Sequence, residues 1–170
     1  NFIYAQDNQP PVISSEGDDT YCPLTQQNIT TSFNIEDPDD TTMDALYIQV
    51  STGYISGEDQ LILTGTHPNI ATSWNTVEGK LEITGPGGNT ANISDIILAV
   101  NDIVFFSSNP NPSSKTFSFT IGDANYLPST DHYYVYVESL NISWTDARDQ
   151  AETMTYYGLQ GYLATILSEE

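Results

Sequence analysis

The chain has 170 residues, of which 23 are acidic and three are basic, so its formal net charge is −20. This length suffices for one full domain and part of a second. The negative charge disfavours binding to nucleic acid or to an anionic membrane, and it favours divalent cations as partners. The same composition also fits an acidic surface protein that binds no metal. Cys22 is the single cysteine, so a disulfide within the chain is excluded, and a bond to a partner or a buried thiol remains open.

The first two thirds of the sequence have the pattern of an antiparallel β-sandwich. Prolines at positions 10 and 11 predict an extended linker or the end of an upstream segment over residues 1–11. Short β runs separated by Gly, Pro, Asn and Asp clusters then predict a sandwich over residues 12–125. The predicted strands begin at Val12 and continue over residues 29–35, 45–50, 60–63, 71–74, 80–83, 103–106 and 116–121. A short helix over residues 92–99 is expected, with Asn92 or Ser94 as its cap.

Alternation within one run predicts which side chains form the core. Leu81 and Ile83 are expected to point inward, while Lys80, Glu82 and Thr84 face water. We expect Trp74 to be the largest packing element of this layer.

The clearest helix signal begins at Ser143. Ser143 is placed to cap the first turn, and Asp146 three residues later completes a capping box. The residues at helical spacing on one face are Trp144, Ala147, Ala151 and Met154. Gly158 is a natural stop, and residues 161–166 are expected to form a buried strand.

These residues carry a first family resemblance. The order of His132-Tyr-Tyr-Val-Tyr-Val137, the helix led by Trp144 and Gly161-Tyr-Leu-Ala-Thr-Ile166 resembles the opening third of a C-type lectin-like domain. The resemblance implies the strand-helix-strand start of an α+β domain over residues 131–170. It places the sugar-binding residues beyond Glu170.

A second resemblance lies in the strand-rich region. Residues 53–65, residues 67–86 and Phe117-Ser-Phe-Thr-Ile-Gly-Asp123 resemble a cadherin-like repeat, which is an Ig-like sandwich. Followed by a linker at 126–130 and a lectin-like module, this order is similar to exported surface proteins of flavobacterial-type Bacteroidetes. The resemblance implies export by the type IX secretion system and a cell-surface or extracellular location.

The cadherin-like resemblance also implies a calcium site. Its candidate ligands are Glu36, Asp37, Asp39, Asp123 and Asn125. Carboxylate and amide oxygens converging at one end of a sandwich are what Ca²⁺ requires. The alternative is a solvated acidic turn in which side chains cap backbone amides.

Other chemistry has weaker support in the sequence. His67 and His132 are the two histidines, and neither accompanies a nucleophile motif, so we do not expect an enzyme. The tyrosines could form a sugar-stacking platform, although core packing is the default expectation for them.

Asn28, Asn92 and Asn141 begin Asn-x-Ser/Thr triplets, the acceptor pattern for N-linked glycan. The Bacteroidetes resemblance instead implies O-linked glycan at Asp-Thr steps, at Thr20 and Thr41, and a bare turn residue is the alternative for each.

We therefore expect part of a non-enzymatic cell-surface adhesion or recognition protein, in which a β-sandwich spacer presents a lectin-like carbohydrate-binding module. Its expected partners are surface glycans or neighbouring surface proteins, with homo-assembly or the secretion machinery as further options. One alternative is a structural subunit of a surface filament or layer that binds no sugar. Another is the accessory region of a glycan-active enzyme.

Overall fold

The computed structural model describes residues 11–122, 125–127, 130, 132–156 and 159–165, with backbone only at 125 and 126. The chain divides into two compact units, Asn1–Tyr133 and Tyr134–Glu170. It is mainly β with antiparallel sheets, which confirms the coarse fold class expected from the sequence.

The described residues of the first unit form one helix among many short strands. In chain order they are β1 Val12–Glu16, β2 Gln27–Asn28, β3 Ser32–Glu36, β4 Thr42–Met43, β5 Leu46–Thr52, β6 Asp59–Leu63, β7 Ala71–Asn75, β8 Lys80–Thr84, β9 Ala91–Asn92, α1 Ile93–Asn101, β10 Ile103–Ser107, β11 Thr116–Ile121 and β12 Asn125–Leu127. β13, His132–Tyr134, spans the division between the units. The second unit continues with α2 Trp144–Thr153, β14 Thr155–Tyr156 and β15 Leu159–Gln160.

Two sheets dominate the first unit. One has the strand order β11-β5-β8-β7 and the other β2-β10-β6, while β1 pairs with β3 and β4 with β9. All of these pairings are antiparallel. Aromatic contacts join the layers, since the ring centroids of Phe33 and Phe119 are 5.0 Å apart and those of Phe105 and Phe117 are 5.5 Å apart.

The core between the layers follows strand alternation. Leu46 lies opposite Ile83 and Ile48 opposite Leu81 in the β5–β8 register, and all four side chains are buried. Burying a side chain of this size contributes about 1.5–3 kcal/mol, so this central pair of strands anchors the unit.

Helix α1 closes the core beside β3. Its buried residues are Ile93, Ile96, Ala99 and Val100, at the spacing of one helix face. The helix expected near residues 92–99 is confirmed, with Asn92 at its N-cap. The Asn92 side chain does not accept from the backbone, however; its Nδ2 donates to Asp95 Oδ2 at 3.2 Å.

Two packing expectations are wrong. Lys80 is buried rather than exposed, with Nζ 4.0 Å from Glu78 Oε2 and 4.9 Å from the centre of the Tyr47 ring. A long aliphatic stem allows a lysine side chain to be buried while its ammonium still reaches polar groups. Trp74 is only partly buried because it lies on the edge strand β7, where its ring meets Tyr54 edge-on at 6.0 Å.

The second unit is built around α2. Ser143 Oγ accepts a hydrogen bond from the Asp146 backbone N–H at 3.1 Å, which confirms the predicted cap. The helix ends at Thr153, before the stop expected at Gly158. No described residue of this unit is buried, and none of the described helices is long and apolar enough to cross a membrane.

The strand expected at 161–166 is wrong for residues 161–165, and residue 166 lies outside the described residues. Gly161 N–H instead donates to Met154 O at 2.9 Å. A Cβ at Gly161 would lie 2.6 Å from Ala151 O. The chain therefore turns back against the end of α2 at the position where the sequence pattern indicated an extended strand.

Candidate functional site

An acidic turn between β3 and β4 is the candidate cation site. Asp37 Oδ1 accepts from the backbone N–H groups of Asp40 at 2.9 Å and Asp39 at 3.3 Å. The Asp40 N–H is the main reason that the pKa of Asp37 lies below its usual value; desolvation opposes this effect and the Asp39 N–H adds to it. Carboxylate oxygens of Asp37, Asp39 and Asp40 lie within 4.8 Å of one another.

The structure brings together only part of the predicted ligand set. Asp37 and Asp39 approach each other, and Asp40 joins them. Glu36 is not in this cluster; its Oε1 accepts from Asn34 Nδ2 at 3.4 Å. Asp123 lies outside the described residues, and the side chain of Asn125 is likewise not described. Three carboxylates are fewer than the six to eight oxygens that Ca²⁺ takes, so water or backbone carbonyls would have to complete the shell.

A cleft of about 930 Å³ opens between the layers of the first unit. Phe105, Phe117 and Phe119 form an apolar wall, and amide side chains of Gln27 and Asn111 are among its polar groups. Small-molecule sites in proteins combine an apolar wall with a few polar groups in this way. The sequence pattern placed the three phenylalanines in predicted strands over residues 103–106 and 116–121 and did not indicate an opening beside them.

A buried ion pair lies behind this cleft. Lys115 lines the cleft, and its Nζ lies 2.6 Å from Asp59 Oδ2 and donates to Gly53 O at 2.5 Å. Asp59 Oδ2 also accepts from Ile55 N–H at 2.8 Å. Asp59 Oδ1 is buried and has no hydrogen-bond partner among the described residues. Sequence reasoning missed this pair because its members are 56 positions apart, and neither stands in a recognisable motif.

Large apolar side chains are exposed in the second unit. Six of them are more than half exposed and are termed here the exposed apolar set: Val135, Tyr136, Leu140, Trp144, Leu159 and Tyr162. Tyr136 is 89% exposed, so core packing is the wrong expectation for this tyrosine. Arg148 lies over the Trp144 ring at 5.6 Å. Its pKa is raised, first by the hydrogen bond to Asp149 and then by the charge of that carboxylate.

The first of the two histidines, His67, contacts an aspartate at the end of α1. His67 Nε2 lies 3.0 Å from Asp102 Oδ2, and Thr64 N–H and Oγ1 both donate to Asp102 O, at 3.1 and 2.7 Å. These contacts fasten the loop after β6 to the end of α1. His132 is exposed in β13. Thr20 and Thr41, the residues implied as O-glycan acceptors, are both exposed.

Comparison with known proteins gives one informative match. The chain is 30% identical over 148 residues to halomucin of Haloquadratum walsbyi, an alignment that covers 81% of this chain. The chain spans about 2% of the length of that relative. No family model and no solved structure matches the chain. The similarity to halomucin, an archaeal surface protein, is compatible with a cell-surface role.

Proposed function

We propose that the chain is a non-enzymatic part of a cell-surface recognition or adhesion protein. The first unit is a rigid spacer and the second carries the contact surface. The observation that carries the proposal is the exposed apolar set, because large apolar side chains concentrated on a small polar unit are typical of surfaces that meet a partner. The similarity to halomucin supports a cell-surface location.

The proposed ligand is a surface carbohydrate. Tyrosine and tryptophan rings present an apolar face to the C–H groups of a sugar and a polar edge to its hydroxyls. Tyr136 and Trp144 expose such rings in the second unit. We further propose the lectin-like identity of this unit, supported by the order of β13 and the Ser143-capped helix, and the cadherin-like identity of the sandwich. The sugar contact at Tyr136 and Trp144 is then separate from the sugar-binding residues that the lectin-like resemblance places beyond Glu170. Export of the type IX kind belongs to the same proposal.

A glycan array tests this function with the 170-residue chain. We expect a defined group of glycans to bind the wild-type chain and to lose binding to the variant Tyr136→Ala with Trp144→Ala. The matched control is Val77→Ala with Leu98→Ala, which removes two exposed apolar side chains from the first unit, where they are 84% and 62% exposed. If no glycan binds and the chain self-associates, the recognition function is wrong. The chain is then better explained as a structural subunit of a filament or layer.

Calcium binding at the acidic turn is a separate part of the proposal. The support is the convergence of three carboxylates in a chain of charge −20. Calorimetric titration with Ca²⁺ is expected to give a heat of binding that the variant Asp37→Asn with Asp39→Asn lacks. Asp18→Asn with Asp19→Asn is the control, because it removes the same charge from another exposed site. Equal heats for the two variants would show that only diffuse screening occurs.

A further inference from the structure

The asparagines of the three Asn-x-Ser/Thr triplets are all exposed, but the triplets differ in how firmly strand pairing, hydrogen bonds and buried neighbours hold them. We propose that Asn141 is an acceptor for an N-linked glycan in the folded protein and that Asn28 and Asn92 are not. This inference does not depend on the recognition function proposed above. It rests on the hydrogen bonds, burial and backbone conformation of each triplet.

Strand pairing and hydrogen bonds hold the Asn28 triplet in the first unit. Asn28 lies in β2, paired with Val104 of β10, and its Nδ2 donates to Asn101 O at 2.7 Å. Thr30 is buried, and its Oγ1 donates to Glu16 O at 2.7 Å. A transferase must reach both the amide and the hydroxyl of the triplet, so glycosylation here would require β2 to leave the sheet.

The Asn92 triplet is held at the start of α1. Asn92 pairs with Thr42 in the β4–β9 ladder, and its Nδ2 donates to Asp95 Oδ2. The middle residue, Ile93, belongs to the buried core. Freeing this triplet would remove Ile93 from the core and open the first turn of the helix.

The Asn141 triplet lies at an exposed turn outside any strand. Asn141 is exposed at a turn with φ of 60°, a left-handed conformation that asparagine adopts more readily than most residues. No hydrogen bond joins its side chain to another described residue. Ser143 is exposed at the N-cap of α2, where its Oγ donates to Asp146 Oδ2 at 2.7 Å, and that helix buries no residue. A short helix without buried contacts is marginal in water, so releasing Ser143 from its cap requires only local opening.

The covalent step is the ordinary transfer from a polyprenyl-pyrophosphate-linked sugar. Asn141 Nδ2 attacks the anomeric carbon, and a C–N bond forms as the bond from that carbon to the phosphate oxygen breaks. The pyrophosphate lipid leaves with the electron pair, and the amide gives one proton to a base of the transferase. An exposed surface position accommodates the bulky product without displacing core side chains.

The test treats the folded 170-residue chain with a single-subunit oligosaccharyltransferase and a lipid-linked N-acetylglucosamine disaccharide. Three short synthetic peptides carrying the triplets are treated in parallel, and sites are read by glycopeptide mass spectrometry. We expect all three peptides to react, whereas the folded chain reacts at Asn141. Asn141→Gln and Ser143→Ala should abolish the mass shift, Ser143→Thr should keep it, and Asn92→Gln should leave it unchanged.

Two results would overturn the inference. One is modification of Asn28 or Asn92 in the folded chain at rates comparable to their peptides. The other is a folded chain that stays unmodified at Asn141 while the Asn141 peptide reacts.

Discussion

Lys115 Nζ lies 2.6 Å from Asp59 Oδ2 inside the first unit, where the two side chains are 6% and 0% exposed. The pair joins the start of β6 to the residue that precedes β11. Removing one member of a buried ion pair leaves a charge without compensation, which costs far more than removing both members.

Lys115→Met is therefore expected to destabilise the first unit by about 3–5 kcal/mol, because the Asp59 carboxylate loses its counter-charge. Lys115→Met combined with Asp59→Asn should recover much of this loss, since the asparagine oxygen can still accept from Ile55 N–H. Urea unfolding followed by circular dichroism measures both. The exposed pair of Arg148 and Asp149 provides the control, and Arg148→Met should cost far less than Lys115→Met, because solvent screens an exposed pair. If Lys115→Met and Arg148→Met lowered the free energy of unfolding equally, the ion pair of Lys115 and Asp59 would not be buried as described.

Trypsin should cut the native chain after Arg148 and nowhere else. The chain has three basic residues, and the side chains of Lys80 and Lys115 are 4% and 6% exposed, whereas that of Arg148 is 42% exposed. Brief digestion followed by intact-mass measurement reads the sites directly. The same digestion in urea should cut after all three residues, because unfolding exposes both lysines. A native cut after Lys80 or Lys115 would show that the sandwich does not bury them.

Ser143→Ala is expected to weaken α2 by about 1 kcal/mol, because the Asp146 N–H loses its side-chain acceptor. With no buried residue to hold the helix, this loss should appear as faster amide hydrogen exchange over Trp144–Thr153, with no change in the first unit. Thr145→Ala is the matched control, as an exposed position in the same turn. Equal exchange in the two variants would argue against the cap.

The stability of the first unit should rise with salt. A formal charge of −20 produces self-repulsion in the compact state, and the screening length falls from about 10 Å at 0.1 M to about 3 Å at 1 M salt. We expect the thermal midpoint to increase by several degrees between these concentrations of KCl. A midpoint that is flat or falls with added KCl would mean that the acidic side chains are too dispersed for repulsion to matter.

Much of the sandwich could be predicted from local pattern. The runs at 46–52 and 80–84 alternate because one face is buried, and the inward positions expected for Leu81 and Ile83 are confirmed. The sequence predicts helix α1 over residues 92–99 with Asn92 or Ser94 as its cap, and Asn92 is the N-cap residue although its side chain makes no capping hydrogen bond. Such features depend on neighbours in sequence, so the sequence carries them directly.

The failures concern contacts that only the assembled fold creates. Strand alternation predicts that Lys80 faces water, yet its side chain is buried in the fold. Asp59 and Lys115 form an ion pair although they are 56 positions apart in the sequence. The strand expected at 161–166 has the correct composition but pairs with no described strand. Of the predicted calcium ligands, neighbouring Asp37 and Asp39 come together, whereas Glu36 does not join them.

We propose above that the exposed apolar set of the second unit contacts a surface carbohydrate. The most direct measurement is calorimetric titration of the 170-residue chain with a glycan that the array selects. We expect saturable binding by the wild-type chain and by Val77→Ala with Leu98→Ala, and none by Tyr136→Ala with Trp144→Ala. Undiminished binding by that last variant would contradict the account and direct attention to the cleft beside Phe117.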